Sequence, residues 1–340
     1  MKVYLWYQSE VKFGGWPSYT AHLAAALQAQ GCDIVILRAL DCKKVKRLSF
    51  GRGMSIYNVP ISIAEQWVKE CPSLVVVSAP KLSTITTRLV TKGASLVIHD
   101  PTEFRGTHLD EAMSAAKHIV TIRKSVQTRL AERDIPSLFI PHPYVAMGVG
   151  AEEPRKRQWD NRQWHAVGIS RIDFDKRTHV ICEANDGLPV DKQVQLFGFK
   201  NRIYVYHNLD SNHPEWERCY HGEFSNESVH SGFGIAQQAK CMVDMSVIKG
   251  DGGGTQYTFL EALDAGCALV LNAEWSTGVE DQDVLGPDFG VCHAASDAES
   301  LQHVLKTLPT PSESDEEQVR SLLMQHNAKN IGKQYMDQVF

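Results

Sequence analysis

The chain has 340 residues, of which 43% are hydrophobic, 9% aromatic and 22% charged, which excludes a disordered chain and gives length for two domains that each bury a core. Its apolar runs are short, as at residues 74–77, far below the roughly 20 residues of a membrane span. The net charge of −5 conceals a split: residues 1–150 carry 18 Lys and Arg against 11 Asp and Glu, a net +7, while residues 151–340 carry 17 against 29, a net −12.

The first apolar segment begins almost at Met1 with no leader-like stretch, and the eight cysteines show no CxxC or Cys/His ligand spacing. Both features predict a cytoplasmic protein with reduced thiols and no zinc site. β-rich runs at residues 3–7, 33–37, 74–77, 96–99, 119–122 and 138–140 alternate with helix-length amphipathic stretches, which reads as βαβ units on a parallel sheet. A polar stretch at 148–162 predicts a linker. The pattern restarts at 165–169, 194–198, 242–245 and 268–271. The expected boundaries are a first domain over 1–150, a second over 151–320, and a last helix within 321–340 that returns to the first domain.

Ligands of open α/β sheets bind beyond the carboxyl ends of the strands, so four loops carry the functional signal. The first follows the opening strand: Gly14 and Gly15 precede a helix around residues 20–28. They lack the GxGxxG spacing of a nicotinamide site, yet let backbone approach a ligand; an ordinary tight turn is the simpler alternative. The second is His99, Asp100 and Glu103, polar groups that can orient sugar hydroxyls or exchange protons, or that cap a loop. His142, set between two prolines, reads as structural.

The third loop, after the strand at 165–169, holds Arg171, Asp173, Asp175 and Lys176. Arg supplies a planar fork and Lys a point charge for phosphate oxygens. Asp173 and Asp175 match a DxD metal motif suited to Mg²⁺ or Mn²⁺, but amid Arg171, Lys176 and Arg177 they read more simply as charge partners. The fourth is residues 249–266, KGDGGGTQYTFLEALDAG. Gly252, Gly253 and Gly254, followed by Thr255, Gln256 and an apolar-periodic helix, form an expected diphosphate cradle. Glu261, inside that helix, is placed to accept hydrogen bonds from ribose hydroxyls; the bland alternative is a solvated helix charge.

These motifs, in this order, resemble the retaining GT-B glycosyltransferases of the glycogen-synthase-like group. The resemblance implies an α/β fold of two Rossmann-like doubly wound domains facing across a cleft, and sugar transfer from a nucleoside diphosphate sugar, a UDP-sugar, to a hydroxyl with retained configuration. It implies no bound metal and no tightly bound cofactor. In that family a Glu-x7-Glu motif places one Glu at the donor sugar and one at the ribose. Glu261 matches the second; the first falls on Gly253, and the nearest acid is Asp251. The resemblance further implies His99 at the donor sugar, with Asp100 beside it, and Arg171 and Lys176 at the diphosphate.

The acceptor expectation rests on charge. Lys43, Lys44, Lys46, Arg47 and Arg52 form a cluster in the +7 half, as neutralising a phosphate backbone requires, although such runs are commonly solvated faces. The stretches 43–58, 140–144 and 251–258 also resemble bacteriophage glycosyltransferases that modify hydroxymethylated pyrimidines. That resemblance implies double-stranded DNA carrying 5-hydroxymethylcytosine as acceptor, with the base flipped out. The alternatives are a bacterial glycan or small molecule as acceptor, a nucleotide-sugar epimerase, or a DNA-binding module without catalysis.

Overall fold

The computed structural model describes residues 1–9, 14–50, 53–70, 73–77, 93–105, 109–146, 159–224, 231–248, 254–275 and 289–340. Among them the chain divides into two bodies: Met1–Val145 with Gln325–Phe340, and the rest.

The first body is built on an eight-stranded sheet. Strand β1 (Lys2–Trp6) is buried along four of its five residues, the near-continuous apolar run expected of a parallel strand covered on both faces. It is followed by α1 (Gly15–Gln28), β2 (Asp33–Leu40), β3 (Lys46–Ser49), β4 (Ser55–Pro60), α2 (Ile61–Glu70), β5 (Leu74–Val76), β6 (Ser95–Ile98), α3 (Leu109–Ala115), β7 (Ile119–Thr121), α4 (Lys124–Ala131) and β8 (Leu138–Phe139). The order across the sheet is β3-β4-β2-β1-β5-β6-β7-β8, parallel except where β3 pairs antiparallel with β4. One face packs Trp6, Leu37, Val76, Leu96 and Ile98 in a single apolar cluster with residues of α3 and α4.

The second body carries β9 (Trp164–Ile169), α5 (Thr178–Asp186), β10 (Val194–Phe197), α6 (Gly232–Ala236), β11 (Ala239–Asp244), α7 (Tyr257–Asp264), β12 (Ala268–Asn272), β13 (Cys292–Ala295), α8 (Ala298–Thr307) and α9 (Glu313–Gln325). Its five strands are parallel in the order β10-β9-β11-β12-β13. Ala166, Leu196, Val243 and Val270 form its core with Ile181, Leu301 and Leu305.

The last helix, α10 (Ala328–Gln338), lies against α1. A Cβ on Gly332 would sit 2.5 Å from the Ala26 carbonyl oxygen, so only glycine permits this approach of the two helices. The buried hydroxyls of Tyr19 and Tyr335 meet at 2.5 Å, and the Ala328 N–H donates to the Tyr144 carbonyl at 3.0 Å.

Four features depart from the sequence expectation. Strands β3, β4 and β13 were not foreseen. All four residues of β3 are exposed at the edge of the sheet, so no apolar alternation marks it, and β13 has the weak β-forming sequence CHAA, its pairing imposed by β12. The expected linker at 148–162 ends too late. Trp159 is buried and its indole N–H donates to the Gly266 carbonyl at 3.3 Å. The Arg162 guanidinium donates to the carbonyls of Ala236 and Ala265 at 3.2 and 3.0 Å, satisfying carbonyls at the C-terminal ends of α6 and α7 that the helices leave without partners.

Candidate active site

In the second body β9 lies between β10 and β11, whose connections leave in opposite directions. The switch point of that sheet, where open α/β proteins bind ligands, is therefore the edge beyond β9 and β11. Lys176 is held there. Its ammonium donates to the Ser246 hydroxyl at 2.8 Å and lies 3.8 Å from the Asp244 carboxylate; the Ser246 hydroxyl in turn donates to Asp244. The Val247 N–H donates to the Asp175 carbonyl at 3.0 Å, and the Trp275 indole N–H to the Ser246 carbonyl at 3.0 Å. Three strand-end loops are thus locked together around one ammonium that remains 23% exposed.

Arg171 is more loosely placed. Its side chain is 59% exposed and pairs with Asp173 at 2.8 Å and Asp175 at 3.4 Å. Exposed pairs contribute roughly 0–1 kcal/mol, so an incoming phosphate can draw Arg171 away at little cost. Asp173 also accepts from Asn201 at 2.9 Å and from the Phe174 N–H at 2.8 Å. Both carboxylates of the DxD sequence therefore serve the turn as charge partners.

A close approach fixes this loop from the β10 side. Gly198, at φ 147°, sits so near Ser170 that a Cβ would lie 1.8 Å from the Ser170 carbonyl oxygen. Of the glycine-rich segment, Asp251, Gly252 and Gly253 lie outside the described residues. Gly254 adopts φ 83°, a left-handed conformation that favours glycine. Thr255 is buried, and among the described residues its hydroxyl has no hydrogen-bond partner; a buried polar group left so is costly, which fits a ligand at the head of α7. Gln256 stands at the N-cap of α7 without a side-chain capping bond. Glu261 is the fifth residue of that helix and half-buried.

In the first body the corresponding edge lies beyond β1, β5 and β6. Gly14 precedes α1 at φ 116°, and among the described residues neither it nor Gly15 has a neighbour within 4 Å of a built Cβ. His99 is held at three points. Its N–H donates to Glu103 Oε2 at 3.1 Å, its carbonyl accepts from Arg123 Nε at 3.1 Å, and its Nε2 meets the Val77 carbonyl at 3.0 Å. A carbonyl only accepts, so Nε2 bears the proton and Nδ1 is left as an acceptor. Asp100 is occupied locally, accepting from the Thr102 N–H at 2.8 Å. His142 is buried beside His326, whose Nδ1 donates to the His142 carbonyl at 2.9 Å.

Burial holds the His99 imidazole down to about 4, against the help of the Val77 carbonyl and Asp100. His99 is thus neutral at physiological pH and suited to accept a hydroxyl hydrogen bond. Its folded value lies below its ordinary value of 6.5, so its contribution to stability is fully present above pH 6.5 and is lost as pH falls toward 4, a share of about 3 kcal/mol. Urea unfolding at pH 7 and pH 4 is expected to show that loss, with His99→Gln flattening the slope. An unchanged slope would contradict the assignment.

The basic cluster maps to the sheet edge. Lys46 and Arg47 lie in β3, with Lys43 and Lys44 just before it, and all four are exposed; Arg52 lies outside the described residues. Arg47 Nε donates to the Ser55 hydroxyl at 2.9 Å. None of the four cations pairs with a carboxylate among the described residues. Lysines also protect open strand edges against pairing with other chains, so β3 has a structural as well as an electrostatic reason for its charge.

The sequence does not reveal the Ser246 and Asp244 partners of Lys176, the Gly198 contact, or the bonds that Trp16 and Arg123 make to the His99 loop. Only Gly198, a glycine directly after a strand, carried a local signal.

No family model matches the chain, and no curated protein matches it in sequence. Solved structures match it along its whole length. An alpha-glucosyltransferase in complex with UDP and a 13-mer DNA containing a HMU base has a TM-score of 0.70 at 13% identity, covering 100% of this chain and 98% of that one. HepE from Anabaena in complex with UDP gives 0.68 at 12%, covering 100% and 99%. The pneumococcal O-GlcNAc transferase GtfA with UDP and GlcNAc gives 0.68 at 9%, covering 100% and 98%. The chain has the fold of these proteins, the GT-B fold of two Rossmann-like bodies.

Proposed function

We propose that the chain is a glycosyltransferase that moves a sugar from a UDP-sugar to a hydroxyl acceptor. The observation that carries this reading is Lys176, an ammonium fixed by Ser246 and Asp244 at the switch point of the second sheet in a fold whose solved relatives hold UDP. The UDP diphosphate takes Lys176 and Arg171, with the head of α7 beside it at Thr255 and Gln256, and its ribose takes Glu261. The roles of Asp251, Gly252, Gly253 and Gly254 follow from the resemblance to the GT-B family, as do those of Gly14, Gly15 and Asp100 at the donor sugar.

In the reaction the anomeric carbon–oxygen bond to the diphosphate breaks, and a bond forms from that carbon to the acceptor oxygen. The acceptor proton passes to the departing phosphate oxygen on the same face, giving retained configuration. Lys176 and Arg171 offset the charge that builds on the leaving group. His99 accepts from a donor-sugar hydroxyl through Nδ1. Titration calorimetry with UDP is expected to show binding that weakens at least tenfold in Lys176→Ala and Glu261→Ala. Binding unaffected by both substitutions would remove the donor assignment.

We infer a hydroxymethylated pyrimidine in duplex DNA, 5-hydroxymethylcytosine, as the acceptor. The fold alone does not select it, because an O-GlcNAc transferase, GtfA, matches with a TM-score of 0.68 as well. The support is the set of four exposed cations at and just before β3, none paired with a carboxylate among the described residues, together with a relative solved on HMU-containing DNA. Neutralising Lys43, Lys44, Lys46 and Arg47 should reduce the slope of log affinity against log salt by about 3–4, at roughly 0.9 per phosphate contact. A slope near zero in the unaltered protein would point to a glycan or small molecule instead.

A further inference from the structure

The contact that ties the His99 loop to the first turn of α1 runs through Glu103, a carboxyl that the transfer scheme above does not use. Glu103 is 2% exposed. One carboxyl oxygen accepts from the Trp16 indole N–H at 3.1 Å and the other from the His99 backbone N–H at 3.1 Å. These donors stand 87 residues apart for Trp16 and four for His99, so the carboxyl bridges the turn after β1 and the turn after β6. The ring of Tyr19 lies edge-on to the His99 ring at 4.7 Å, and that of Trp16 at 6.4 Å. His99 is thereby enclosed by α1 on one side and held by Glu103, Arg123 and Val77 at its N–H, carbonyl and ring.

We propose that Glu103 is a positioning residue for the transfer reaction, fixing the His99 imidazole so that its Nδ1 meets the donor sugar. The proposal rests on the transferase reading above. Glu103 touches no substrate in this account; it acts through His99. A simple capping contact within the turn at Pro101–Arg105 would explain the His99 bond but not the long-range bond to Trp16. Chemistry makes the arrangement specific to a carboxyl, because two N–H donors converge on two oxygens. A glutamine offers one acceptor oxygen and one NH₂ group, so Glu103→Gln sets donor against donor at Trp16 or at His99 while preserving shape.

The test is a double-substitution cycle on kcat with UDP-sugar and acceptor. Glu103→Gln alone should lower kcat by about 10- to 100-fold, the effect of a small misplacement of a positioned group. In a His99→Ala background the same substitution should cost less than twofold, since the group it positions is gone. Equal costs in both backgrounds, or a wild-type kcat in Glu103→Gln, would overturn the proposal. Should Glu103→Gln fail to fold, Trp16→Phe removes one arm of the bridge and runs through the same cycle with the same expectation. The indole ¹H–¹⁵N signal of Trp16, identified by its disappearance in Trp16→Phe, should shift in Glu103→Gln; an unmoved signal denies the bridge itself. Absence of turnover by the unaltered protein with every nucleotide sugar would instead remove the activity reading, and the indole signal separates the two failures.

Discussion

Lys176→Ala is expected to lower kcat by about 10²–10³-fold at saturating donor. An ammonium aimed at developing negative charge and already oriented contributes about 3–4 kcal/mol to the transition state. Lys176 is already oriented, since Ser246 holds it at 2.8 Å and Asp244 at 3.8 Å, and the proposed diphosphate position supplies the charge. The substitution also leaves the Asp244 carboxylate, 10% exposed, without its cation. That costs about 1–3 kcal/mol of stability, below the range for fully buried pairs because Lys176 itself reaches water. Thermal unfolding therefore accompanies the rate measurement, to show that the variant is folded where it is assayed. Arg171→Ala should be milder in stability, its pairs being exposed, and should weaken UDP binding. A folded Lys176→Ala protein with undiminished kcat would contradict the role.

Gly198→Ala is expected to destabilise the second body by about 3–5 kcal/mol, the range reached when a special backbone conformation and a steric clash coincide. Its Cβ would lie 1.8 Å from the carbonyl oxygen of Ser170, and a backbone atom cannot step aside as a side chain can. The residue displaced is the neighbour of Arg171, so donor affinity should fall with stability. Gly222→Ala is the control. Gly222 also has positive φ, at 92°, and its carbonyl accepts from the Gly198 N–H at 2.9 Å, yet among the described residues a Cβ there meets nothing within 4 Å. Its smaller loss reports the backbone strain alone, and the difference between the two variants reports the clash. Equal melting temperatures for the two would contradict the close approach.

What was legible in the sequence follows from where apolar side chains carry the information. Strands β1, β6 and β12 are buried along nearly every residue, so their apolar runs stand out, and the glycine-rich approach to α7 marks Glu261 by helical spacing. Lys176 was recognisable only as a cation after a strand. Its orienting partner Ser246 lies 70 residues away, and no spacing rule links the two. Glu103 was visible as one polar residue of the His99 loop, but its burial depends on α1 folding over it through Trp16. β3 escaped detection because Lys46 and Arg47 suit an exposed edge, where the pattern that reveals a half-buried strand is absent. Arg162 falls in the charged stretch expected as linker, although its guanidinium is spent on helix-end carbonyls. Polar side chains acquire their roles from partners far along the chain, whereas apolar ones declare theirs locally.

The most direct measurement is incubation of the protein with a panel of nucleotide sugars and two duplexes, one carrying 5-hydroxymethylcytosine and one with ordinary cytosine, followed by mass analysis of the digested nucleosides. A UDP-sugar is expected to add one sugar to the hydroxymethylated base, with UDP released and the ordinary duplex unchanged. Failure to release nucleotide or transfer sugar from any donor, to either duplex or to glycan acceptors run alongside, would contradict the assignment of this chain as a glycosyltransferase.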